Sequence, residues 1–219
     1  MNDKPQLPRA IWVGLGLMLA LLALAFLASV AKVGQLHMHP KLPVLGNVAD
    51  FSLTNQDGRI TTLADLSNQV WVADLIFTRC PGPCPRMTAQ MKSMQDKLAE
   101  SPGVKLVTLT TDPEYDSAAV LRKYGTFYGA DFNRWTFLTG PKTNIAQLAV
   151  SSLKLNLLPT DQGDRKDVAD LFIHSTIFVL VDRHAHLRNI FETGGENVDW
   201  TNVVQPRLLH DIHELENEP

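Results

Sequence analysis

Cysteine is almost missing from this sequence: 219 residues hold only two, Cys80 and Cys84. Without a second pair, a four-cysteine zinc site and a disulfide framework are both excluded. Excess charge is missing too. There are 20 Lys and Arg against 23 Asp and Glu, a formal net charge of −3, and no basic patch or arginine-rich run. That excludes nucleic acid as a partner on electrostatic grounds. No nucleophile triad, phosphate-cradling glycine loop, haem-attachment motif, internal repeat or low-complexity tract is present.

One stretch lacks charge altogether. Residues 10–31, read from IWVGLGLMLALLALAFLASVA and the alanine before it, carry no Asp, Glu, Lys or Arg. As a helix at ~1.5 Å per residue the stretch would cover ~33 Å, against a bilayer core of ~30 Å. The expectation is a single transmembrane anchor. A cleaved signal peptide is the alternative, because Ser29-Val30-Ala31 has the small-x-small form, although such apolar cores usually run only ~7–15 residues. Lys4 and Arg9 before the stretch balance Lys32 and Lys41 after it, so charge alone leaves orientation open. Either reading puts the rest of the chain on the exported side, in a periplasm or its equivalent, where thiols can be oxidised.

After an aperiodic tether over 32–46, the pattern becomes that of a globular domain. DFSLTNQDGRITTL alternates around Asp57-Gly58 and predicts a β-hairpin. VWVADLIF (70–77) is a mostly apolar run of strand length that ends just before the cysteines. Met87, Met91, Met94 and Leu98 share one helical face. A strand over 104–111, a helix capped at Asp116 or Ser117, a strand over 135–138 and a helix in KTNIAQLAVSSL follow. An irregular polar stretch from Lys154 leads to a strand pair in STIFVLVD and HLRNIFE, and the chain ends in a helix around Pro206. Strands alternating with helices and closing in a hairpin predict an α/β fold, a central mixed β-sheet flanked by helices. Cysteines between a central strand and a helix make it thioredoxin-like.

The cysteines sit in RCPGPC, fenced by Pro81, Pro83 and Pro85. A helix N-terminus offers unpaired N–H groups and the positive end of the dipole, and Arg79 adds charge. Both thiols are therefore expected to be more acidic than a free cysteine. Three intervening residues still permit a disulfide and also let both sulfurs face one metal ion. A structural staple on so short a loop gains little entropy. Two thiolates select soft metals, Cu(I) first, whereas Cu(II) would want a nitrogen donor as well. His174, just before a strand expected beside the loop, is the leading candidate.

These residues resemble the Sco/SenC family, membrane-anchored copper chaperones for cytochrome c oxidase assembly. The resemblance rests on the apolar N-terminal stretch, on FTRCPGPCPRM, on TLTTDPEYDSAAVLRKY and on HSTIFVLVD, in that order. It implies that Cys80, Cys84 and His174 hold copper, and that Cys80 and Cys84 can form a redox-active disulfide. Asp112 would lie just behind the ligands, or else cap the loop after its strand. The implied partners are the copper-receiving subunit of the oxidase, whose binuclear copper site is metallated, a copper donor and a thiol reductant. Many members carry a small apolar residue where this chain has Pro83.

The resulting division is a short cytoplasmic tail (1–9), an anchor (10–31), a tether (32–46), a thioredoxin-like copper-binding domain (47–215) and a tail (216–219). The function expected is a metallochaperone rather than an enzyme in the usual sense. A thiol–disulfide oxidoreductase acting on the same subunit or another exported protein is the alternative, and a peroxidase-like enzyme the third reading. His37 and His39 in LHMH could collect copper or simply belong to the tether. His184 and His186 read as a solvated turn, His210 and His213 as exposed positions on the last helix, and the methionine face as core.

Overall fold

The computed structural model describes residues 9–36, 41–155, 176–195 and 197–218. The chain forms two units, 1–41 and 42–219. In the first, helix α1 (Arg9–Leu36) has its described side chains over 11–27, all of them exposed. Among the described residues no helix is long and apolar enough to cross a membrane. This overturns the expectation of a domain held on the exported side by a single-pass anchor over 10–31. His37 and His39 lie outside the described residues.

The second unit is built on one eight-stranded sheet. Its strands are β1 (Gly46–Asn47), β2 (Ser52–Asn55), β3 (Ile60–Thr62), β4 (Val70–Ile76), β5 (Val104–Thr110), β6 (Trp135–Thr139), β7 (Ile177–Val181) and β8 (His186–Glu192). They lie in the order β1-β8-β7-β4-β5-β6-β2-β3. β4, β5 and β6 run parallel, and every other pairing is antiparallel. The expected hairpin is β2–β3, turning at Gly58 with φ 74°, a left-handed conformation that glycine adopts freely.

The helices are α2 (Cys84–Lys97), α3 (Ala118–Phe127), α4 (Lys142–Ala146) and α5 (Gln205–Asn217). Strand alternation divides the core between the two faces of the sheet. Val70, Val72 and Ile76 of β4 pack with Cys80, Cys84, the three methionines of α2, Leu121 of α3 and Leu208 of α5. Trp71, Ala73 and Leu75 point the other way, toward Ile145 of α4 and Leu148. The methionine face is thus core, as its spacing predicts.

Three boundaries differ from the sequence reading. α2 starts at Cys84 itself, because Pro83 already has helical angles (φ −74°, ψ −26°) and Pro85 occupies the first turn, where a missing N–H costs nothing. The helix expected throughout KTNIAQLAVSSL widens into a π turn after Ala146. α5 is likewise preceded by a π turn, Trp200–Val204, capped by Asp199 accepting from the Asn202 N–H.

Candidate metal and thiol site

β4 is buried along its whole length between β5 and β7, so its carboxyl end opens at the middle of the sheet. Ligands on open α/β sheets collect at such ends. The chain leaves β4 at Phe77, whose carbonyl accepts the Cys80 N–H at 3.2 Å, and four residues after Cys80 it enters α2 at Cys84. Both cysteines are free thiols, 8% and 5% exposed, so the pair lies just beneath the surface.

The Cys80 thiol is near enough to Cys84 to bear on its ionisation. Burial pushes the Cys84 thiol well above the ordinary cysteine value, and the Cys80 hydrogen bond adds to it, while a backbone hydrogen bond at Phe77 opposes it. For Cys84 this corrects the expectation of an unusually acidic thiol. The helix N-terminus is where the sequence put it, but desolvation of a thiolate outweighs a dipole that solvent partly screens.

A turn over 112–116 grips the approach to the cysteines. Arg79 donates to the Asp112 carboxylate at 2.5 Å and lies 3.9 Å from the Tyr115 ring centroid. The hydrogen bond to Asp112 holds the guanidinium above its ordinary value. The Asp112 carbonyl accepts the Tyr115 and Asp116 N–H groups, and its own N–H donates to the Thr110 hydroxyl at 3.0 Å. Ser117, not Asp116, caps α3 by accepting from the Val120 N–H. Asp116 turns inward instead, fully buried, and accepts from Thr78 and Thr110.

A second buried carboxyl was hidden in the apolar run of β4. Asp74 has no exposed surface and shares the cysteine face of the strand with Val72 and Ile76. It accepts from Thr108 at 2.6 Å, while Oδ2 has no partner, and burial raises its pKa to about 7. Its charge contributes to the upward shift of Cys84. The signal was in the sequence, a lone acid at an inward position of a buried strand, but only strand register gives it a neighbour.

His174 lies outside the described residues, which resume at Thr176. There the Thr176 carbonyl accepts the Thr193 N–H at 2.7 Å, and Gln90 of α2 donates to the Thr193 carbonyl at 3.0 Å. A Cβ at Gly194 would sit 2.6 Å from Thr176 and 2.8 Å from Arg86, so the entrance to β7 packs against the first turn of α2. Among the described residues no group of three or more His, Cys, Asp and Glu is placed to hold a metal. The dithiol supplies two soft donors. His184 and His186 flank a turn elsewhere, their rings 6.1 Å apart, and His186 lies 3.2 Å from Asp182.

A mixed sheet with a buried dithiol between its central strand and the following helix defines the thioredoxin-like class. Within it, the chain belongs to the SCO1/SenC family, whose model matches residues 45–206. It is 34% identical over 166 residues to the SCO1 protein homolog of Bacillus subtilis, covering 75% of this chain and 82% of that one. Among solved structures it is 30% identical to BsSco, described as a member of the Sco family of cytochrome c oxidase assembly proteins with a disulfide switch. The TM-score there is 0.65, covering 82% of this chain and 99% of the other. Bradyrhizobium japonicum ScoI, solved with copper bound, shares the fold at 21% identity and TM-score 0.55, over 77% of this chain and 99% of its own.

Proposed function

We propose that this chain is a copper chaperone that delivers its cargo to the binuclear copper site of cytochrome c oxidase during assembly. Cys80 and Cys84 supply two thiolates and His174 the nitrogen that Cu(II) requires, with Asp112 behind them. The observation that carries this reading is the pair of free, buried thiols four residues apart at the mouth of the central strand. It is supported by family membership, and by Thr176, two residues beyond His174, lying against Gly194 together with Arg86 of the helix that Cys84 begins. Copper binding must displace the thiol protons, and an upward-shifted Cys84 makes that displacement pH-dependent. Transfer is by ligand exchange with the copper-receiving subunit. A copper donor loads the site, and a thiol reductant keeps it able to bind, since an oxidised pair offers no thiolates.

A second reading is favoured by the closeness of the two sulfurs, and a disulfide switch is described for a relative 30% identical. One thiolate attacks a partner disulfide, forming a mixed disulfide and releasing one partner thiol. The other cysteine then attacks the mixed disulfide, so the partner gains two electrons and the chain keeps a Cys80–Cys84 disulfide.

One titration separates the readings. The reduced chain is titrated anaerobically with Cu(I) against a competing chelator, and with Cu(II) by optical spectroscopy, alongside His174→Ala. The chaperone requires tight one-to-one binding and a thiolate-to-Cu(II) band that His174→Ala abolishes. Weak binding, or binding indifferent to His174, leaves a redox couple.

A further inference from the structure

The β4–β5 ladder ends at the pair Ile76 and Thr110, and the Thr111 N–H still reaches the Ile76 carbonyl at 2.8 Å. Beyond that point the sheet can no longer hold the chain, yet the cysteine loop starts only three residues further on. The gap is filled by one buried side chain. Asp116 accepts the Thr78 N–H at 3.1 Å through Oδ2 and the Thr78 hydroxyl through Oδ1, and its Oδ2 also takes the Thr110 hydroxyl at 2.5 Å. Thus the same carboxylate ties the last residues before the loop to the end of the neighbouring strand.

We propose that Asp116 is the positioning residue of the cysteine pair: by locking Thr78 it sets where Cys80 stands relative to Cys84. Cys84 needs no such help, because it is the first residue of α2 and is held by that helix, whose Thr88 hydroxyl donates to the Cys84 carbonyl at 2.9 Å. Cys80 has no regular element of its own. Its N–H bonds Phe77, and the two residues between are fixed from one five-residue turn, Thr78 by Asp116 and Arg79 by Asp112 and Tyr115. The outer grip is exposed and adds little stability. The inner grip is buried and charge-assisted, which makes it the stronger of the two. A site that holds one ion between two sulfurs depends on such supporting contacts, and so does a dithiol whose disulfide must close within a stiff loop.

The inference rests on the proposed function for its copper arm and is independent of it for its redox arm. Asp116→Asn keeps the size of the side chain but turns an amide toward donors. Thr78→Val removes the hydroxyl contact alone, and Thr78→Ser restores it. Glu114→Gln, on the exposed side of the same turn, is the control. Each variant is titrated with Cu(II) and equilibrated with glutathione buffers, and its thermal midpoint is recorded. Asp116→Asn and Thr78→Val are expected to weaken copper binding about tenfold, the scale of one charge-assisted hydrogen bond. They should also shift the thiolate-to-Cu(II) band and move the dithiol–disulfide equilibrium constant at least threefold (about 0.65 kcal/mol). Thr78→Ser and Glu114→Gln should match wild type in all three. If Asp116→Asn fails to fold, the Thr78 pair decides. A change in thermal midpoint with affinity, band and equilibrium constant unmoved makes Asp116 merely structural and overturns the proposal. Should the wild-type chain take no copper, the proposed function fails by itself, and the dithiol equilibrium alone upholds or overturns Asp116.

Discussion

Arg79 and Asp112 meet at 2.5 Å across the ends of two adjacent strands, one residue before Cys80 and two residues after β5. Their side chains are 56% and 27% exposed, so the pair is screened by solvent and holds geometry more than it adds stability. Its consequence is local. The guanidinium is held between the Asp112 carboxylate and the Tyr115 ring, which fixes the residue next to Cys80.

Cys84, four residues on from Cys80, resists ionisation. Burial first, and then the hydrogen bond from Cys80, hold its thiol above the ordinary value. Thiolate absorbance and iodoacetamide labelling of Cys84, followed in the Cys80→Ser variant, should stay low up to about pH 9, past the pKa of about 8.5 of a free thiol. A thiolate signal developing below about pH 8 would mean that helix dipole and Arg79 outweigh burial.

Asp74 makes stability depend on pH in the opposite sense to a paired carboxylate. Its folded pKa of about 7 lies above the unfolded 3.8, so the folded state holds its proton more tightly. Its contribution is full below pH ~4, is lost as pH rises to ~7, and is constant above that, a swing of roughly 4 kcal/mol. Urea unfolding at pH 4.5, 6 and 8 should show Asp74→Asn flattening that slope relative to wild type. Parallel curves for the two proteins would place the carboxyl's titration elsewhere.

Arg188 is the buried cation of the other end of the sheet. It is 5% exposed and donates to Asp182 at 2.7 Å, to Glu218 at 2.8 Å and to the Leu42 carbonyl at 2.5 Å. It thereby ties both ends of the globular unit to β8. Arg188→Met strands a buried Asp182 and should cost about 3–5 kcal/mol in urea unfolding. Arg188→Lys should recover only part, since one ammonium cannot span two carboxylates and a carbonyl as a planar fork does. A loss below about 1 kcal/mol would show the cluster to be solvated in solution.

Much of the architecture was legible because it depends on short-range periodicity. The β2–β3 hairpin, β4, the methionine face of α2 and the β7–β8 pair all follow from alternation, helical spacing or a turn dipeptide, patterns that burial on one face imposes. The π turns after Ala146 and before Gln205 were not, because a helix widens for packing reasons that no local residue announces. The helix over the apolar run 10–31 was legible too, but the anchor read from it was not upheld, since among the described residues no helix is long and apolar enough to cross a membrane.

At the site the division is similar. By itself the sequence determined which residues carry soft donors, that two of them flank a strand–helix junction, and that a DPEYD segment accompanies them, because chemistry and spacing are properties of the chain. Only the tertiary structure decided that Asp116 turns inward to Thr78 while Ser117 caps α3, that Asp74 sits beneath the cysteines, and that Cys84 is shifted up rather than down. The Asp116–Thr78 and Asp74–Thr108 hydrogen bonds join residues more than 30 positions apart, set by which strands lie side by side, and the Cys84 shift follows from desolvation.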